Sequence, residues 1–95
     1  MFQKTVRISN PALLQEVREM PCVVCARFGC DPHHVKSRAS IGHDVPQNLM
    51  SLCCECHTLM HKIGLTQMAE KYSQVKQWLL ENGWTLNKTI NKWRN

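Results

Sequence analysis

The segment Cys53-Cys-Glu-Cys-His-Thr-Leu-Met-His61 constrains this chain more than any other. Two metal-site spacings overlap in it. Cys53 and Cys56 form a C-x-x-C pair, and His57 and His61 form an H-x-x-x-H pair. Residues four apart lie on one face of a helix, so both imidazoles can meet a single ion. Each pair is half a site, and the other halves must come from upstream. Cys22 and Cys25 form the second C-x-x-C, and His33 and His34 are the other adjacent imidazoles. One segment is therefore expected to close two metal centres, one that builds the fold and one that does chemistry.

The 95 residues are expected to form a single domain. A chain of this size buries only roughly two thirds of its unfolded surface and commonly needs a metal or disulfide staple. Its six cysteines can serve either purpose. The first ten residues carry Lys4, Arg7 and polar side chains but no apolar run, so no leader is expected. No segment approaches the ~20 apolar residues of a membrane span. These features favour a reducing cytoplasm, where paired thiols take zinc rather than form disulfides. Disulfides or inert buried cysteines are the alternative, and the paired spacing argues against them. Four thiolates in two C-x-x-C pairs are what tetrahedral structural zinc requires. Cys54 is then expected to be a small core residue. Cys30 is left unassigned, with replacement of a knuckle ligand as its alternative.

Along the chain, Asn10-Pro11 predicts a helix N-cap with proline in the first turn, and Leu13, Leu14 and Val17 supply its apolar stripe. Residues 5–8 are expected to be partly extended. Phe28-Gly29 predicts a turn, residues 33–36 a short strand and residues 37–47 an open loop. Leu49, Met50 and Leu52 predict the returning strand. Residues 54–62 should be helical with Gly64 as the C-terminal cap. Two further helices are predicted from Thr66 or Gln67 to Tyr72 and over 73–82, followed by a weak hairpin over 84–95. Trp78, Trp84 and Trp93 are expected to pack rather than to stack on bases. The organisation is an arm and helix over 1–20, a core over 21–64 and an extension over 65–95.

The series His33-His34, Asn48, His57 and His61, beside the Cys53-x-x-Cys56-His57 segment, resembles the HNH (ββα-metal, His-Me finger) nuclease motif in its zinc-knuckle form. Small phage and prophage HNH proteins are similar in size and layout. The resemblance covers roughly Cys22 to Gly64 and implies an α+β fold: a small ββα-metal core with a four-cysteine zinc knuckle, flanked by short helices. It implies that His33, His57 and His61 hold one divalent cation, that His34 is the general base, and that Asn48 pins the loop to the returning strand and helps orient His34. The structural zinc falls to Cys22, Cys25, Cys53 and Cys56. The implied activity is metal-dependent hydrolysis of DNA, leaving a 5′ phosphate and a 3′ hydroxyl. An imidazole with an ordinary pKa of about 6.5 is largely neutral at neutral pH and can accept a proton from water. Many HNH proteins have Asp where this chain has His33. Imidazole suits transition metals and carboxylate suits magnesium, so Mg2+, Mn2+, Ni2+ and Zn2+ all stay open for the catalytic site.

Consecutive residues of a regular strand face opposite sides. His33 and His34 should therefore need a twist or bulge if both border one phosphate. His43 is expected to be a loop residue without a role. The chain's formal charge is +5. Lys36 and Arg38, after the catalytic strand, and Lys62, after the metal helix, are candidate phosphate contacts, with Lys88, Lys92 and Arg94 as a further basic cluster. DNA is the expected partner, with a phage or host protein as a further one and no membrane. A non-catalytic zinc-stapled module that binds DNA or protein is the rival reading. It needs the same cysteines but no base.

Overall fold

The first helix begins where the Asn10-Pro11 signal places it. In this computed structural model, which describes residues 7–40 and 42–95, α1 spans Pro11–Arg18. The Asn10 side chain accepts from the Leu13 amide at 3.1 Å, and Pro11 occupies the first turn, where no N–H is required. Leu14 and Val17 form the buried stripe of α1 and pack with Leu49. The extended segment expected over 5–8 lies largely outside the described residues.

Strand β1 spans Cys30–His34 and pairs antiparallel with β2, Leu49–Cys53. This corrects the expected strand over 33–36: the pairing begins at Cys30 and stops at His34. Asp31-Pro32 is no break, and Pro32 lies within the strand opposite Ser51. In a two-stranded sheet both strands are edges, the position where proline is tolerated. Beyond His34 the chain leaves the ladder, and two 3-10 turns, Arg38–Ser40 and Pro46–Asn48, shape the return loop.

Every residue of β2 is buried, because both faces of the hairpin are covered. Leu49 meets α1. Met50 and Leu52, on the opposite face, enter the main core with Met60 of α2 (Cys54–Ile63), Met68 and Ala69 of α3 (Leu65–Lys71), and Val75 and Leu79 of α4 (Ser73–Glu81). Gly64 turns the chain between α2 and α3 at φ 84°, and its amide reaches the Met60 carbonyl at 2.8 Å. The C-terminal hairpin is present, as β3 (Thr85–Asn87) paired with β4 (Lys92–Arg94). Its Trp93 and the preceding Trp84 are buried in the same core, and the Trp84 indole donates to the Gln47 carbonyl at 2.7 Å. Trp78 packs on that core from its margin. The hairpin is thus tied directly to the loop that precedes β2. Among the described residues, no helix is long and apolar enough to cross a membrane.

The return loop folds tightly on itself at Gly42. A Cβ added there would overlap the Lys36 carbonyl, a backbone group that cannot move aside. We predict that Gly42→Ala forces this loop open and destabilises the domain by about 1–3 kcal/mol, the usual range for overpacking. Thermal or urea unfolding monitored by circular dichroism measures the loss.

Candidate active site and metal centres

Two clusters lie at the two ends of the ββα unit. At one end, the sulfurs of Cys22, Cys25, Cys53 and Cys56 all lie within 4.8 Å of one another. The Cys25 and Cys53 sulfurs are 3.6 Å apart. A tetrahedral ion with zinc–sulfur bonds of ~2.3 Å has sulfur–sulfur edges of ~3.8 Å, so the spacing fits that geometry. The first knuckle is shaped by its backbone. The Cys22 amide donates to Arg27 at 2.8 Å, and the Ala26 amide donates to Cys22 at 2.9 Å. Ala26 sits at φ 62°, a left-handed conformation that is costly for a residue with a Cβ. The Val23 amide and the Ser51 hydroxyl join the knuckle to β2, through Ser51 O at 3.0 Å and Pro21 O at 2.7 Å.

Burial and the neighbouring sulfurs of Cys53 and Cys22 raise the Cys56 thiol, so geometry rather than titration marks the four ligand candidates. Burial by itself raises the Cys22 thiol, but hydrogen bonds from the backbones of Cys25, Cys53 and Val24 outweigh it and bring the group to about 7. Burial pushes Cys30 up to about 11, with the nearby sulfurs of Cys22, Cys53 and Cys25 acting in the same direction. Its S–H donates to the Arg27 carbonyl at 3.3 Å, so Cys30 behaves as a buried protonated thiol outside the four-sulfur cluster. Cys54 corrects an expectation. It is exposed on the first turn of α2, not in the core, because the helix turns Cys53 and Cys56 toward the knuckle and Cys54 away from it.

At the other end, ligand nitrogens of His33, His57 and His61 lie within 4.8 Å of one another. The Nε2 atoms of His57 and His61 are 3.1 Å apart. Two nitrogens bound at ~2.1 Å with angles between square and tetrahedral are separated by ~3.0–3.4 Å, which this distance satisfies. The His33 ring stands edge-on to both partners, with centroids at 5.2 Å from His57 and 5.3 Å from His61. Burial pulls His33 down to about 4, and the three neighbouring histidines add to the effect. Burial and His61 lower His57 as well, against an opposing pull from Asp31. A neutral imidazole is the form that ligates a metal. The donor chemistry of both clusters fits the ions the sequence implies: four sulfurs for structural zinc, three imidazoles for a divalent transition metal.

His34 points elsewhere. The β1–β2 register runs without a bulge, so successive side chains alternate between faces. His33, opposite Met50, projects toward α2. His34, opposite Leu49, projects toward α1. No bulge interrupts the register to bring both rings to one face. The two rings flank the last pair of the ladder from its two sides.

The partner of His34 was not foreseen. Its Nε2 lies 2.7 Å from Oδ1 of Asp44, a residue only 1% exposed. Oδ1 also accepts from Arg7 at 2.7 Å, and Oδ2 accepts from the Asn10 amide at 2.9 Å. Burial opposes ionisation of Asp44, but these three hydrogen bonds hold its carboxyl far below the ordinary range. His43, expected to be idle, accepts the Ile8 amide on Nδ1 at 2.8 Å and so helps to dock the same arm.

Asn48 is buried and works on the main chain. Its Oδ1 accepts from the Lys36 amide at 2.7 Å, and its Nδ2 donates to the carbonyls of Lys36 and His43 at 3.1 and 3.0 Å. Its own carbonyl accepts from Val35 at 2.9 Å. Asn48 makes no bond to the His34 ring among the described residues. It clamps the two ends of the return loop instead. Lys36, Arg38 and Lys62 belong to neither cluster, and all three are exposed. Lys36 lines a cleft of about 640 Å3 together with Ser37, Ser40, Lys92 and Arg94, above Trp84 and Trp93. Arg38 and Lys62 do not line this cleft.

These elements define a small mixed α+β domain in which an antiparallel hairpin feeds a helix and a four-cysteine cluster closes its base, consistent with a ββα-metal core. Residues 22–62 match the HNH family, described as HNH endonuclease. The matched segment runs from the first knuckle cysteine to the last turn of α2 and leaves α1, α3, α4 and the C-terminal hairpin outside. No curated protein and no solved structure matches the chain significantly.

The two clusters predict different responses to substitution. Elemental analysis of the purified chain is expected to find one firmly held zinc. Cys53→Ser should lose that zinc together with much of the helical circular dichroism, since binding to a site absent in the unfolded chain counts as folding energy. His57→Ala should keep both.

Proposed function

We propose that this chain is an HNH-type endonuclease that hydrolyses DNA phosphodiester bonds with one divalent cation and a histidine base. The observation that supports the reading most directly is the convergence of His33, His57 and His61 on one point beside the strand end that carries His34. The match of residues 22–62 to the HNH family supports the reaction class.

In this reading His33, His57 and His61 hold the cation, and Cys22, Cys25, Cys53 and Cys56 hold a structural zinc. When bound, the cation supplies charge stabilisation to a phosphate oxygen and the leaving 3′ oxygen. Three protein ligands leave positions open for substrate, as a catalytic site requires. A scissile phosphate placed across the end of the β1–β2 ladder has the three-histidine cluster on one side and His34 on the other. In-line displacement needs that opposition of attacking and leaving groups. His34 takes the proton from the attacking water. Asn48 holds the His34–Lys36 exit fixed through main-chain hydrogen bonds, so the base does not drift.

The cleft lined by Lys36, Lys92 and Arg94 suits the adjoining phosphates. It carries three cations and no acidic side chain, and it opens two residues beyond His34. Lys36, Arg38 and Lys62 are the backbone contacts proposed from the sequence. The cleft adds the C-terminal hairpin to them. Contacts of this kind supply affinity and salt dependence rather than sequence choice.

Two experiments test the proposal. Supercoiled plasmid incubated with the chain and Mg2+, Mn2+, Ni2+ or Zn2+ should be nicked or cut, and His34→Ala should abolish cutting while retaining zinc and the circular dichroism spectrum. A parent that binds DNA and cuts with none of the four metals identifies a zinc-stapled binding module instead. For the cleft, the Lys92→Gln/Arg94→Gln double variant should flatten the dependence of log affinity on log salt by about 2. Fluorescence anisotropy with a labelled duplex reads that slope, and an unchanged slope removes the cleft from the interface.

A further inference from the structure

We infer that Asp44 is a positioning residue that fixes the ring and the tautomer of His34, so that Nδ1 is the atom that accepts the proton from water. The inference deepens the nuclease reading and rests on it for the role of His34. Nothing in the local sequence marks Asp44. It sits in the return loop, ten residues after the histidine it contacts.

The geometry leaves little freedom. An ionised carboxylate accepts hydrogen bonds and donates none. Its Oδ1 lies 2.7 Å from His34 Nε2, so Nε2 must carry the hydrogen. In the neutral ring the lone pair then belongs to Nδ1. Nδ1 has no hydrogen-bond partner among the described residues. The His34 side chain is 12% exposed, and Nδ1 is where that exposure can serve chemistry.

Asp44 is itself over-determined. Arg7 and the Asn10 amide occupy two further acceptor positions, and its own amide donates to the Ile8 carbonyl at 2.9 Å. Asn10 is the N-cap of α1, so the carboxylate is fastened to the start of that helix. With Arg7 on the same oxygen as His34, the carboxylate has little tendency to take the ring proton for itself. A charge held in this way also stabilises the imidazolium that forms when the water is deprotonated. A purely structural ion pair, whose only task is to moor the arm at Arg7, would not need His34 at all.

The distinguishing experiment combines ring NMR with kinetics. Long-range 15N–1H spectra of the zinc-loaded chain, recorded above the ordinary imidazole titration range, report which nitrogen of His34 is protonated. The Nε2–H form is expected, and an Nδ1–H form or an even mixture overturns the inference. Asp44→Asn retains the size of the side chain but offers an amide N–H. It should shift His34 to the Nδ1–H form and lower kcat on plasmid by roughly 10²–10⁴-fold with KM little changed. Arg7→Gln should loosen the arm and lower the melting temperature, yet leave the tautomer as in the parent. If Asp44→Asn fails to fold, the parent spectrum still decides between the two forms. An active parent, an inactive His34→Ala variant and a fully active Asp44→Asn variant together refute the positioning role alone. Unimpaired cutting by His34→Ala refutes the nuclease role of His34, whatever the spectra show.

Discussion

Four sulfur atoms drawn together at the base of one hairpin govern the rest of this structure. Two of them, on Cys22 and Cys25, sit before β1. The other two, on Cys53 and Cys56, straddle the junction of β2 and α2. Their meeting fixes Cys53 opposite Cys30, and that pairing sets the register of the whole ladder. Sliding either strand by one residue would turn that strand's side chains to the other face. His33 would leave α2 if β1 slid, and Leu49 would leave α1 if β2 slid. The same junction orients α2, because Cys56 must turn inward for the cluster to close, and His57 and His61 then project toward His33. The placement of the three histidines at one end of the hairpin is therefore tied to the cysteine geometry at the other.

The apolar core is divided between the two faces of the hairpin. Its fully buried members come mostly from elements that follow the hairpin, with Met68, Val75 and Leu79 closing over Met50 and Leu52. The helices after Gly64 thus serve as a lid on one face, and α1 covers the other with only Leu14 and Val17. A core divided in this way, with few large side chains on the α1 side, has much to gain from a staple whose binding energy adds directly to folding.

Much of this was legible because the relevant signals are local. Cysteine and histidine spacings name both clusters, Asn10-Pro11 marks the start of α1, and Gly64 marks the end of α2. What was hidden depends on contacts between distant segments. β1 starts earlier than its β-forming residues suggest, since pairing with β2 carries Asp31 and Pro32 into the ladder against their own preferences. Cys54 is chemically the same residue as Cys53 and Cys56, and only the turn angle of the helix decides that it faces water. Asp44 and Arg7 are separated by most of the knuckle and β1, and an Asp in a glycine- and proline-containing loop reads as ordinary turn chemistry. Only its near-complete burial, a state that a carboxylate tolerates when it is fully hydrogen-bonded, sets it apart.

The flanking segments differ in kind from the hairpin and α2. The segment matching the HNH family holds both clusters, His34, Asp44 and Asn48. The groups that complete their surroundings come from outside it. Arg7 and Asn10 satisfy the Asp44 carboxylate from the N-terminal side, while Lys92 and Arg94 bring positive charge to the cleft beside Lys36 from the C-terminal side. The first pair fixes the carboxylate that meets the His34 ring, and the second adds positive charge beside the strand end. Both are joined to the same short return loop, through Asp44 and His43 on one side and through the Trp84 bond to Gln47 on the other. Gly42 and Asn48 hold that loop closed from within, so the arm, the C-terminal hairpin and His34 are all joined to it. Substitutions in either flank should therefore reach the histidine site through this loop, without altering any of the metal-ligand candidates.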